Sequence, residues 1–184
     1  MEKPEPRPDP SLPIPLDVTV DLDTAVVIAL GCNDRGVWRD CPEALEAALA
    51  RFRSEGIDVI GRSSWWRSAA WPDPTDPSFL NGVVIVRTDH DPHALMAALG
   101  RIEEAFGRRR EALNAPRTLD LDLIAYGRLT GDLDGLILPH PRAHLRRFVM
   151  GPLAEIAPDW RNPNGETATA LCRSCSVGVD ATPT

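Results

Sequence analysis

The chain has 184 residues and 43% hydrophobic side chains, enough for one domain with a sizeable core and flanking segments. Its formal net charge of −7 argues against a general nucleic-acid binder, which presents a broad basic surface. No apolar run approaches a membrane span, and the N-terminus lacks the apolar stretch of a secretion signal, so no membrane partner and a cytoplasmic location are expected.

Residues 1–23 hold six prolines in the first fifteen positions and read as an extended, disordered tail. "TAVVIAL" (24–30) is β-rich, stops at Gly31, and reads as a buried strand. "CPEALEAALARFRSEG" (41–56) has Pro42 at a helix start, Leu45, Leu49 and Phe52 at helical spacing, and Gly56 as a stop. "IDVIGRSSWWRSAAW" (57–71) reads as one long strand, and "WPDPTDPS" (71–78) as a loop. "FLNGVVIVRT" (79–88) is another strand. In 91–107, Asp91 suits the N-cap and Pro92 the first turn, while Leu95, Leu99, Ile102 and Phe106 form an apolar stripe. A basic loop precedes the strand "TLDLDLIAYG", and "RRFVMGPLAEI" (146–156) reads as a further helix. The order β-α-β-β-α-β predicts an α+β, ferredoxin-like sandwich with an antiparallel sheet. Residues 166–184 are small and polar and read as a loosely held C-terminal tail, which leaves 24–165 as the domain.

Four cysteines, Cys32, Cys41, Cys172 and Cys175, are expected as reduced thiols in a cytoplasmic protein. "CRSC" (172–175) has CxxC spacing, but no second pair completes a zinc site. Lys3 is the only lysine among 20 basic residues. That arginine bias suits bidentate contact with phosphate or carboxylate, and it equally suits a GC-rich genome.

The chemistry concentrates in "PRTLDLDL" (116–123). In a strand, residues i and i+2 point the same way, so Asp120 and Asp122 share a face with Cα atoms about 6.5–7 Å apart. Leu119, Leu121 and Leu123 take the other face. Such a pair can hold Mg²⁺ with phosphate oxygens completing the coordination. Taken alone, it fits better with a half-exposed strand whose outer face is acidic. Its neighbours change that reading. Arg108, Arg109, Arg110 and Arg117 precede it, and "HPRAHLRRF" (140–148) adds His140, Arg142, His144, Arg146 and Arg147. Acids for a metal beside arginines for phosphate are the parts of a phosphoryl-transfer site.

"RTLDLDL", "LPHP" and "RRFVMGPLAEIAP" occur in this order, downstream of "ALGCN", "WRSAAW", "FLNGVV" and "RIEEAFGR". Together they resemble the 6-hydroxymethyl-7,8-dihydropterin pyrophosphokinase family over about residues 24–165. The resemblance implies transfer of pyrophosphate from ATP to the pterin hydroxymethyl group, with release of AMP, in folate biosynthesis. ATP would be the co-substrate. Asp120 and Asp122 would bind two Mg²⁺ and, with Arg108 and Arg110, form the catalytic set. Phe79 and Phe148 would sandwich the pterin, Asn81 would read its heteroatom edge, and Ser68, Ala69 and Trp71 would cover the rest. Glu103, Arg108, Arg110, Arg117, His140 and Arg146 fall on positions near ATP. Partners are expected to be these small molecules, and the enzyme to be a monomer. The resemblance departs at Cys32, where serine is usual, and at Leu113 and Asn114, where an arginine and a tryptophan are frequent. The loops at 67–79 and 107–117 are expected to order when both substrates bind. A palm-type nucleotidyltransferase is a rival reading, since it too pairs acids on a ferredoxin-like sheet. A non-catalytic pterin- or nucleotide-binding module is another.

Overall fold

The computed structural model describes residues 13–70, 75–107 and 118–184. The first strand, β1 (Val26–Cys32), is buried along its whole length, which explains its uninterrupted apolar run. Helix α1 (Cys41–Phe52) starts where Asp40 accepts a hydrogen bond from Glu43 N at 2.9 Å. It ends in a 3₁₀ turn closed by Gly56 at φ 75°, a conformation that favours glycine. Strands β2 (Ile57–Arg62), β3 (Trp66–Ser68) and β4 (Phe79–Thr88) follow, then helix α2 (Pro92–Ala105), capped by Asp91 on Ala94 N at 2.8 Å. Strand β5 (Asp120–Tyr126) leads into a small hairpin, β6 (Gly131–Leu133) and β7 (Leu136–Leu138), which sequence periodicity did not signal. Helices α3 (Arg147–Ile156) and α4 (Ala168–Ser174) and a short strand β8 (Thr182–Pro183) complete the chain.

The main sheet runs β5-β1-β4-β3-β8, with β2 also paired to β4, and its pairings are antiparallel. This is the ferredoxin-like arrangement expected from the element order. Alternation along β1 divides the interior. Val26, Ile28 and Leu30 pack with α1 and α2, while Val27 and Ala29 pack beneath α3 and α4. Leu119, Leu121 and Leu123 join the first core, as their spacing predicts. Asp120 and Asp122 therefore emerge on the α3 side.

Three expectations change. The single strand predicted over 57–71 is two strands, both paired with β4. Ser63 makes the break: its hydroxyl accepts from Val83 N at 3.0 Å, in place of a ladder carbonyl. The segment expected as a loose C-terminal tail carries α4 and β8, and β8 adds to the sheet beside β3. Short polar sequence hid this, because its ordering comes from backbone bonds to distant elements. Finally, Cys32 and Cys41 are not reduced thiols. They form a disulfide, with Cα atoms 5.7 Å apart, that ties the end of β1 to the start of α1. Their nine-residue separation carries no pairing signal until the turn closes. In the N-terminal segment, 1–12 lie outside the described residues, and Ile14 pairs through its backbone with Arg62.

Candidate active site

One end of the sheet opens on the α3 side into a cleft of about 290 Å³. Its floor follows from strand register. Gly31 in β1 lies opposite Asn81 in β4 and opposite Asp120 in β5, which makes one row across three strands. Two strand spacings separate the outer members, about 10 Å. A Cβ at Gly31 would meet Asn81 Oδ1 at 3.5 Å, Phe79 Cδ1 at 3.8 Å and Asp120 Cβ at 3.9 Å. The missing side chain thus leaves open the space among an amide, an aromatic ring and a carboxylate.

The acidic wall is β5. Asp120 and Asp122 both line the cleft and are half-buried. Arg146, at the N-cap of α3, reaches Asp122 with Nη1 to Oδ2 at 3.6 Å. Its guanidinium carbon also stands 5.7 Å from the Phe148 ring centroid, within cation–π range. His140 lines the same wall. Its pKa is lowered, first by burial and then by Arg146 and Arg142, with Asp122 opposing. Arg142 N donates to His140 Nδ1 at 3.2 Å, which leaves Nε2 to carry the proton of the neutral ring. A neutral imidazole N–H offers a hydrogen bond to an anion.

The opposite wall is aromatic and amide. Phe79 lines the cleft from β4 and Phe148 from the first turn of α3. Asn81 is buried, and its Nδ2 donates to Ser68 Oγ at 3.1 Å. Ser68 and Ala69 border this wall. Glu103 is placed differently from the other expected residues. It is buried in α2, and its Oε1 accepts from Leu121 N at 2.7 Å, fixing β5 between the two aspartates. Trp71, Arg108, Arg110 and Arg117 lie outside the described residues, as do Leu113 and Asn114.

Two carboxylates on one strand face supply hard oxygen donors suited to Mg²⁺. Among the described residues, no group of three or more histidine, cysteine or acidic side chains gathers around a metal position. A cation between Asp120 and Asp122 would therefore draw its remaining ligands from substrate and water. That is the usual habit of Mg²⁺ with phosphates, so the donor set fits. The "CRSC" thiols are not a comparable site. Burial, with Cys172 adding and Arg147 opposing, pushes the Cys175 thiol up to about 11. Cys175 Sγ donates to Leu171 O at 3.2 Å.

The family model for 7,8-dihydro-6-hydroxymethylpterin-pyrophosphokinase matches residues 27–158, which contain both walls of this cleft up to Phe148. This chain belongs to that family. A 2-amino-4-hydroxy-6-hydroxymethyldihydropteridine pyrophosphokinase of Synechocystis sp. is 47% identical over 147 residues, covering 79% of this chain and 73% of that protein. One from Pseudomonas aeruginosa is 36% identical over 160 residues, covering 86% and 96%. The mitochondrial folate synthesis bifunctional protein of Pisum sativum is 38% identical over 131 residues, 71% of this chain and 25% of that protein.

Within this pyrophosphokinase fold, sequence reasoning missed several lining residues. Gly31 and Asn33 stood inside the quoted "ALGCN" motif, yet only the register shows that Gly31 is the floor. Arg142 lay in the basic run, and the structure separates it from Arg147. Arg147 instead donates Nε to Ala181 O at 3.2 Å. Val177 lines the cleft from a segment beyond the family match, and nothing in its sequence signals that position.

Proposed function

We propose that this chain transfers pyrophosphate from ATP to the hydroxymethyl group of 6-hydroxymethyl-7,8-dihydropterin, releasing AMP, in folate biosynthesis. One observation carries the reading: in a chain of this family, Asp120 and Asp122 open into the cleft that also holds Phe79, Asn81 and Phe148. The aromatic pair suits a flat heterocycle held by offset stacking. The Asn81 amide, donor and acceptor together, suits the pterin's edge. A ligand lying over Gly31 reaches from Asn81 to the acidic wall, so its hydroxymethyl end meets the phosphates there.

Magnesium, two ions held by Asp120 and Asp122 with ATP oxygens, would neutralise phosphate charge and orient the β-phosphorus. The chain's own residues do the rest. Arg146 and neutral His140 donate to phosphate oxygens. Arg146, which contacts Asp122 at 3.6 Å, is placed to donate to a nucleotide phosphate, and Asp122 would supply an oxygen ligand to the metal. Glu103 holds β5 at the right height. Arg108, Arg110 and Arg117 would add charge at the triphosphate, and Trp71 would cover the pterin. The new bond joins the hydroxymethyl oxygen to the β-phosphorus as the bond from that phosphorus to the α–β bridging oxygen breaks; the bridging oxygen leaves on AMP, and the hydroxyl proton passes to solvent. Neither aspartate is asked to act as a base, because positioning and charge neutralisation supply most of the acceleration.

A palm-type nucleotidyltransferase is not favoured, since it has no use for the Phe79, Asn81 and Phe148 wall. A mere binding module is not favoured, since it has no use for two metal-holding acids. We further propose a cytoplasmic monomer, because the reaction consumes ATP and exposed apolar residues such as Val18, Ile137 and Val179 lie apart, on a turn, the β6–β7 hairpin and the segment after α4. No helix among the described residues is long and apolar enough to cross a membrane.

The test is product analysis with ATP and the pterin. AMP and the pterin diphosphate are expected, and pyrophosphate release would refute the reaction class. Asp120→Asn or Asp122→Asn should lose several kcal/mol of transition-state stabilisation, about a thousandfold in rate, with the fold retained.

A further inference from the structure

The segment that follows α4 runs across the mouth of the cleft. Ser176 N and Val177 N donate to Leu145 O at 3.0 and 2.9 Å, and Val177 O accepts from Arg147 N at 2.9 Å. That last bond matters because α3 has no side-chain N-cap. The carbonyl of Val177 satisfies one of the orphan N–H groups of its first turn, the turn that carries Arg146 and Phe148. Gly178 comes next, at φ 63°. A Cβ there would stand 3.0 Å from Phe148 Cε1 and closer still to Cδ1. The backbone of Gly178 therefore seats the edge of the Phe148 ring, and only glycine permits that approach.

The same segment then reaches the Ser68–Ala69 border of that wall, across from the Phe148 ring. Asp180 Oδ2 accepts from Ala69 N at 2.6 Å, Thr182 pairs with Arg67, and Thr184 N donates to Trp65 O at 2.9 Å. Residues 176–184 thus bond at one end to the turn bearing Phe148 and at the other to β3 and to Ala69, which follows it. The span between those attachments sets the gap between the Phe148 ring and the Ser68–Ala69 backbone.

We infer that residues 176–182 act as a strap that sets the width of the pterin side of the cleft, with Gly178 and Asp180 as positioning residues. This rests on the reading of Phe148 as a pterin-stacking residue, and it assigns a role to a segment outside the family match. Gly178 fixes how far the ring projects, and Asp180 fixes the backbone at Ala69. Neither touches Asp120, Asp122 or His140, so their direct effect falls on the pterin side and reaches the phosphate side only through the Phe148–Arg146 contact.

The experiment uses the full chain with Gly178→Ala, Phe148→Ala and the double variant, plus Asp180→Ala and Asp180→Asn. Dissociation constants are measured calorimetrically for the pterin and, separately, for a non-hydrolysable ATP analogue with Mg²⁺. Gly178→Ala should weaken pterin binding about tenfold, the scale of overpacking by one methyl group, and leave the ATP analogue within about twofold. In the Phe148→Ala background, with the ring gone, the Gly178 effect should shrink to less than about twofold, as a double-mutant cycle requires of contacting residues. Asp180→Ala should raise the pterin KM about threefold or more with kcat little changed, and Asp180→Asn, which keeps an acceptor oxygen, should restore it. If Phe148→Ala weakens pterin binding while Gly178→Ala and Asp180→Ala do not, the strap has no positioning role and the pterin reading stands. If Phe148→Ala itself leaves pterin affinity unchanged, the pterin reading fails and the inference falls with it. Equal losses for both ligands would mean general loosening and would also overturn it.

Discussion

Adding one methyl group at Gly31 tests the geometry of the cleft floor more sharply than removing any wall residue. The Cβ of Gly31→Ala lies 3.5 to 3.9 Å from Asn81 Oδ1, Phe79 Cδ1 and Asp120 Cβ, which is ordinary van der Waals contact. The scaffold should therefore accept it. Replacing glycine in a strand also reduces the freedom of the unfolded chain, so stability should hold or rise by about 0.4–1 kcal/mol. The methyl group nevertheless occupies the space over which the pterin must lie to reach both Asn81 and the acidic wall. Overpacking of this kind costs about 1–3 kcal/mol. At about 1.4 kcal/mol per decade, pterin affinity should fall about 5- to 150-fold. Calorimetric titration with the pterin, in the presence of Mg²⁺ and a non-hydrolysable ATP analogue, measures the loss, and thermal unfolding measures the scaffold. An unchanged pterin affinity in a stably folded variant would refute the placement of the ligand over Gly31. A clear drop in melting temperature would refute the claim that the floor is open.

Asn81→Ala or Phe148→Ala should weaken pterin binding by about 1–3 kcal/mol while sparing the ATP analogue, as separate titrations will show. ATP analogue and pterin should each tighten the other's binding by one common factor, because Arg146 contacts Asp122 on the phosphate side and Phe148 on the pterin side. Identical pterin affinities with and without the analogue would exclude that coupling. The lowered pKa of His140 means that the unfolded chain binds this proton more tightly than the folded one. Stability of the ligand-free enzyme should therefore fall as pH drops from about 6.5 toward the folded value, and His140→Asn should flatten that part of the profile in pH-dependent denaturation. In denaturant without reductant, thiol titration should find Cys172 and Cys175 alone, and reductant should raise the count to four, the remaining two being the Cys32–Cys41 bridge. In the native protein, Cys175 should alkylate slowly at pH 8, since a thiol pushed up to about 11 is only about one part in a thousand thiolate there.

Most of the sheet and the acidic wall were legible in the sequence, because each rests on a local period. Alternation placed Asp120 and Asp122 on one face and three leucines on the other, and the structure keeps that division. The stripes of α1 and α2, with Pro42 at the start of one and Asp91 capping the other, are likewise short-range facts. The roles of Phe79, Asn81 and Phe148 came only through resemblance, since an aromatic residue in a strand or helix otherwise reads as core. Only the tertiary structure decided the rest. Gly31 became the floor through its register with Asn81 and Asp120, a relation among three strands distant in sequence. Glu103 proved to hold β5 through a backbone amide, which its helical position could not indicate. The cysteine pair met because the turn after β1 brings Cys41 back over Cys32. The strap at 176–182 was invisible for a plainer reason. Its order comes from backbone hydrogen bonds to Leu145, Arg147 and Trp65, and a backbone looks the same whatever residues carry it.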